Sequence, residues 1–186
     1  MFKGTITLLL ATILFAFAHS TVKYLGNDLT IYQLSFLRFI VAPIVLIPLF
    51  KTGFFQFSID NWPLIVFRTF FGVSAMMLYF IALISGDPGQ VSLIFQCSAL
   101  WASLYAWLFY NERLHTISTL MIPIAFIGLF LIIQPSSVSI LINANLIALG
   151  ASIMNAGVFL TLKKLRTTNN SQSVLLANYS LSSIVL

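Results

Sequence analysis

Long apolar runs alternate with short polar breaks along the chain. One run starts at Gly89 and carries no charged side chain until Asn111-Glu112-Arg113 ends it. A helix of about 20 residues crosses the roughly 30 Å hydrocarbon core of a bilayer, and this run is long enough. Within it Ser92, Gln96, Ala99 and Ser103 recur at spacings of four, three and four, so they share one helical face. Leu93, Phe95, Leu100, Trp101, Leu104, Trp107 and Leu108 cover the rest. A thin polar stripe on a lipid-compatible helix must face other helices or a water-filled cavity.

The same pattern divides the rest of the chain. Spans are predicted from about Gly4 to Leu25, Thr30 to Phe50, Trp62 to Ser85, Gly89 to Tyr110, Thr116 to Gln134 and Asn145 to Leu162. A seventh apolar run starts at Val174 and reaches Leu186, too short a stretch to cross comfortably. Gly26-Asn27-Asp28 and Gly86-Asp87-Pro88-Gly89 read as tight turns. Pro135 to Asn143 reads as an uncharged loop with a short apolar run inside it. Lys3 and Ala16-Phe17-Ala18 resemble a secretory signal, but the apolar pattern continues to Leu25, so the first span is read as retained.

Composition turns this pattern into a class. The chain is 60% hydrophobic and 7% charged, against about 25% charged residues in soluble domains. It cannot cover a water-facing surface and reads as an all-α, polytopic membrane helix bundle. The net charge of +5 is scattered at span ends, which argues against nucleic acid as a partner and for the positive-inside rule. Alternate loops carry Lys3, then Lys51 with Arg68, then Arg113, then Lys163, Lys164 and Arg166; the loops between carry Asp28, Asp87 and no charge. The expected N-terminus is therefore cytoplasmic. Cys97 is alone in an apolar run and both histidines are isolated, so no metal site or cofactor is expected.

Some polar side chains lie inside the spans. Arg38 is about eight residues, or roughly 12 Å, into its helix from the outer end. It is either a counter-charge for an anionic substrate group or a structural arginine bonded to carbonyls. His19 and Lys23 share a face near the outer end of the first span and line either a vestibule or the interface. Gln96 at mid-depth binds a substrate or joins helices. Tyr79 lies with Arg68, Gly72, Ala75 and Ala82 on one face of the third span. Arg68, Glu112 and Arg113 read as helix-end residues on the cytoplasmic side. All four acids, Asp28, Asp60, Asp87 and Glu112, lie at span ends or in loops. If transport is proton-coupled, these spans offer only His19, or the proton carrier is expected in further helices.

A shift of 140 residues brings Thr21-Val22-Lys23-Tyr24-Leu25 onto Thr161-Leu162-Lys163-Lys164-Leu165, and Ile44-Val45-Leu46 onto Ile184-Val185-Leu186. Ala11, Ile13 and Ala16 fall on Ala151, Ile153 and Ala156. Five spans separate the two copies, so the second is inserted upside down. Inverted repeats are a common build for secondary transporters, with substrate bound near the midplane.

These landmarks resemble the EamA branch of the drug/metabolite transporter superfamily. They are Lys23, Phe36-Leu37-Arg38, Arg68, Tyr79-Phe80-Ile81-Ala82-Leu83, Asn111-Glu112-Arg113-Leu114, and Gly128 with Gln134-Pro135. The resemblance implies ten helices in two inverted five-helix repeats, cytoplasmic termini, and transport of a small metabolite, an amino acid or related solute, across the cytoplasmic (inner) membrane by alternating access. On that pattern residues 1–143 are the first repeat and residues 144–186 the start of the second. The expected partners are then the lipid bilayer, a small-molecule substrate, and the remaining helices of the second repeat or a second copy. Two departures are Ala99, where the family often has proline, and Ala125, where it often has glycine.

Two other function classes compete. A membrane enzyme is disfavoured: Gly72-Val73-Ser74 lacks the second glycine of a nucleophile elbow, and no nucleophile–base pair lies at a plausible depth. A non-transporting membrane scaffold or assembly subunit is supported by the chain length alone.

Overall fold

The computed structural model describes residues 2–26, 28–51, 58–110, 116–132, 139–167 and 169–186. Its elements are α1 (Phe2–Leu25), α2 (Ile31–Lys51), α3 (Trp62–Ser85), α4 (Pro88–Gln96), α5 (Ser98–Tyr110), α6 (Thr116–Ile132), α7 (Ser139–Leu165) and α8 (Ser171–Val185). No strand occurs among the described residues. Among the described residues, five stretches are long and apolar enough to cross a membrane: Gly4–Leu25, Ile31–Pro48, Trp62–Ser85, Pro88–Phe109 and Asn143–Leu165. The protein is a polytopic helical bundle.

Local chemistry sets the helix starts. Thr30 and Gln33 form a reciprocal capping box at α2, where the Gln33 Oε1 accepts from the Thr30 N–H at 2.9 Å and the Gln33 N–H donates to Thr30 Oγ1 at 3.4 Å. The Asp87 carboxylate accepts from the Gln90 N–H at 2.9 Å, and Pro88 opens α4. Pro43 and Pro48 lie inside α2 and Pro123 inside α6, which membrane helices tolerate when neighbours satisfy the freed backbone groups.

The structure departs from the sequence pattern in two places. Residues 139–143 are the first turns of α7 and not part of a loop. The run expected to form one helix from Gly89 to Tyr110 is interrupted at Cys97. There the Cys97 N–H bonds the Ile94 carbonyl three residues back at 3.1 Å, and the thiol lies 3.6 Å from the Leu93 carbonyl. The next residue, Ser98, accepts a 3.0 Å hydrogen bond from the Asn155 amide on α7. The interruption thus needs no proline: a side chain from another helix meets the chain at the joint.

α3 is the centre of the bundle. It packs most extensively on α7 and also meets α1, α2, α4 and α8; α2 packs on α8, and α5 on α7. The main core joins Leu34 and Phe39 of α2, Met76, Phe80 and Leu83 of α3, Val91 and Ile94 of α4, and Ala148 and Ala151 of α7. Glycine and alanine let α3 and α7 approach: a Cβ on Gly86 would sit 2.7 Å from Ala144 Cβ, and one on Gly157 would sit 2.9 Å from the Phe71 ring. A smaller cluster of Ile65, Leu165, Val174 and Ala177 closes the other end. The outer faces are apolar, as on α1, where Phe17 is 75% exposed. Such a surface suits hydrocarbon.

The bundle therefore has two chemically distinct ends. Lys23, Asp28, Gly86 and Asp87 lie at one. The other carries Lys51, Asp60, Lys163, Lys164 and Arg166, where the Asp60 N–H donates to Asn169 Oδ1 at 2.7 Å and the Ser58 N–H to Ser173 Oγ at 3.1 Å.

Candidate functional site

Four helices contribute to a cavity of about 320 Å³: α1 gives Thr12, Phe15 and His19, α2 Arg38, α3 Met76 and Tyr79, and α4 Phe95 and Gln96. The helical period explains the α1 contribution, since residues 12, 15 and 19 are spaced by three and four and lie on one face. Gln96 comes from the last turn of α4, immediately before the Cys97 joint.

Tyr79 organises the cavity wall. It is 1% exposed, and its hydroxyl lies 3.1 Å from His19 Nδ1 and 3.0 Å from Ser92 Oγ. Its ring lies 4.2 Å from that of Phe95 and meets His19 edge-on at 5.2 Å, measured between centroids. A buried phenol normally finds a polar partner; this one has two, on different helices. The hydrogen bonds tie α1 and α4 to α3 at one point.

Arg38 supplies the positive charge. Its guanidinium carbon lies 6.0 Å from the centroid of the Phe80 ring, at the limit of a cation–π contact. No described residue gives it a carboxylate partner, and none of the cavity residues is acidic. An arginine inside a membrane span without a counter-ion is costly unless water or an anion reaches it. The cavity combines this cation with aromatic walls, one amide and one imidazole. It can receive a small molecule with an anionic group beside an apolar or aromatic part. Among the described residues, no three His, Cys, Asp or Glu side chains are grouped so as to hold a metal ion.

The structure thus brings His19, Arg38, Tyr79 and Gln96 together and leaves other expected residues elsewhere. Lys23 does not line the cavity: its ammonium donates to the Ile84 and Gly86 carbonyls, each at 2.7 Å. Arg68 is buried, 7% exposed. It donates from Nη1 to the Val158 carbonyl of α7 at 3.3 Å, while its Nε has no partner among the described residues. The reason is that the face with Gly72 packs against α7, and it carries Arg68 into that contact. Glu112 and Arg113 lie outside the described residues. Asn155 was missed by the sequence reading. Its signal was an amide in the middle of an apolar helix, aligned with no charge or motif.

Residues 2–134 match the EamA-like transporter family. Two curated relatives share 19% identity with the chain over 183 residues: the proteins named Pseudopaline exporter CntI in Pseudomonas aeruginosa strains UCBPP-PA14 and PAO1. The alignment takes in 98% of this chain and 64% of each relative, so the chain spans less than two-thirds of their length. No solved structure matches the chain.

Proposed function

The chain belongs to the EamA-like transporter family, and from that premise we propose that it acts as a secondary carrier for a small amphipathic anion, by alternating access. The observation that carries this reading is Arg38 in the cavity, without a carboxylate partner among the described residues and beside aromatic walls. In this reading Arg38 binds the anionic group, Gln96 hydrogen-bonds a neighbouring polar group, and Phe15, Met76 and Phe95 hold the apolar part. The likeness to proteins named exporters supports outward movement.

The carrier reading includes two inverted repeats, the first over residues 1–143 and the second starting at 144. Under the 140-residue offset α2 corresponds to α8, and these two helices pack on each other, as equivalent elements beside a two-fold axis would. Further helices of the second repeat, or a second copy, then cover faces of α1 that the described residues leave open. Lipid covers the remainder. The end carrying Lys51, Lys163, Lys164 and Arg166 is cytoplasmic, by the positive-inside rule, and the membrane is the inner one.

Solute uptake and efflux in proteoliposomes test the proposal, with a panel of small carboxylates including aromatic ones. Saturable flux that Arg38→Gln removes is expected. Flux of none of them, or flux indifferent to Arg38→Gln, overturns it.

A further inference from the structure

His19 is the one cavity-lining group whose charge an ordinary imidazole changes near neutral pH. Its surroundings are defined from every helix packed against it. On α1 it follows Thr12 and Phe15; α3 presents Tyr79; α4 presents Ser92, Phe95 and Gln96; α2 presents Arg38 across the cavity. No acidic residue occurs in α1, α2, α3 or α4. The other cation near that end, Lys23, is tied to the Ile84 and Gly86 carbonyls.

The hydrogen-bond chain accommodates both states of the imidazole. With Nδ1 bare, the Tyr79 hydroxyl donates to it and accepts from Ser92 Oγ–H. With Nδ1 protonated, the imidazolium donates to the Tyr79 oxygen, and the hydroxyl turns to donate to Ser92 Oγ. Distances of 3.1 and 3.0 Å suit either arrangement. Only two hydroxyl hydrogens rotate; no heavy atom has to move.

Arg38 makes the proton and the anion interdependent. While the guanidinium faces the cavity without an anion, a second cation at His19 is repelled. An anion on Arg38 cancels that repulsion, and a proton on His19 in turn adds attraction for the anion. We infer that His19 is the proton-binding residue of this carrier, and that substrate anion and proton load the cavity together, one solution proton adding to Nδ1 as the anion adds to Arg38. Anion and proton then cross in the same direction. This rests on the carrier reading above, and it adds the coupling ion to it.

The test uses benzoate as probe and the full chain in nanodiscs. Calorimetric titrations in two buffers of different ionisation enthalpy, at one pH, give the protons taken up per benzoate bound. Net proton uptake is expected for the unmodified chain, with benzoate affinity falling by up to about tenfold per pH unit on the alkaline side, the limit set by reciprocal linkage. In His19→Gln, benzoate should still bind, with no proton uptake and a flat pH profile. Arg38-dependent binding without proton uptake in the unmodified chain overturns the inference and leaves the carrier site standing. Undiminished proton uptake in His19→Gln or His19→Asn also overturns it. Benzoate binding that is absent, or indifferent to Arg38→Gln, overturns the site reading and the inference with it.

Discussion

The Lys23 ammonium on α1 lies 2.7 Å from the carbonyl oxygen of Gly86, just past the end of α3, and equally close to that of Ile84. The last carbonyls of a helix have no partner within it, and a lysine is well suited to cap them. α1 is otherwise sparsely packed, with broad exposure of its large apolar residues. The two bonds are therefore a principal link between α1 and the bundle. Lys23→Met, which keeps the side-chain length, should lower the unfolding free energy by about 1.5–3 kcal/mol, the range for hydrogen bonds to charged groups. Reversible unfolding in mixed micelles measures this, and an unchanged midpoint would remove the capping role.

Gly86 itself is required by space and not by its backbone. Its φ of −118° is open to any residue, but an added Cβ would lie 2.7 Å from Ala144 Cβ and 3.0 Å from the Ala82 carbonyl. Gly86→Ala should destabilise by about 1–3 kcal/mol, the range for overpacking. Ala144→Gly in the same chain should restore part of the loss. A double-mutant cycle reads the coupling, and additive effects would mean that the two residues do not constrain each other.

At Arg38, the planar fork matters as well as the charge. Arg38→Gln should abolish carrier flux while the protein still inserts, and Arg38→Lys should rescue it only partly, because an ammonium lacks the two-pronged donor geometry. Gln96→Leu should weaken apparent affinity. Flux against solute concentration, normalised to folded protein, distinguishes these outcomes; wild-type flux in both Arg38→Gln and Gln96→Leu places the pathway elsewhere.

Orientation has a direct test. In a Cys97→Ser background, Asp28→Cys and Asp87→Cys should react with an impermeant thiol reagent added outside intact cells. Labelling only after permeabilisation would invert the topology.

Much of the bundle was legible because its punctuation is local. α3 runs from Trp62 to Ser85, as read from the apolar run between Pro63 and the Gly86-Asp87-Pro88 turn. The faces that carry His19, Tyr79 and Gln96 were legible because the helical period of 3.6 is fixed, and the structure brings them to one cavity with Arg38. The joint at Cys97 was not legible. Both flanks are equally apolar, no proline marks it, and the Asn155 amide that meets it lies in α7. Lys23 shares a face with His19, but four residues carry it about 6 Å further along the helix, past the cavity and onto the end of α3. Sequence spacing gives a face; it does not give the depth at which that face meets its neighbour.

The packing of α3 on α7 sets a timetable for biogenesis. A ribosome has made all of α3 by Ser85, yet α7 begins only at Ser139. During that interval Arg68 and Gly72 have not met α7, and Arg68 is without the Val158 carbonyl that it later meets. Non-local pairing of this kind delays folding and exposes intermediates. The newborn chain must keep this arginine near the insertion machinery, or in water at the bilayer edge, until α7 arrives. A ribosome stalled before Ser139 should leave α3 more open to protease or chaperone capture than one stalled after Leu165.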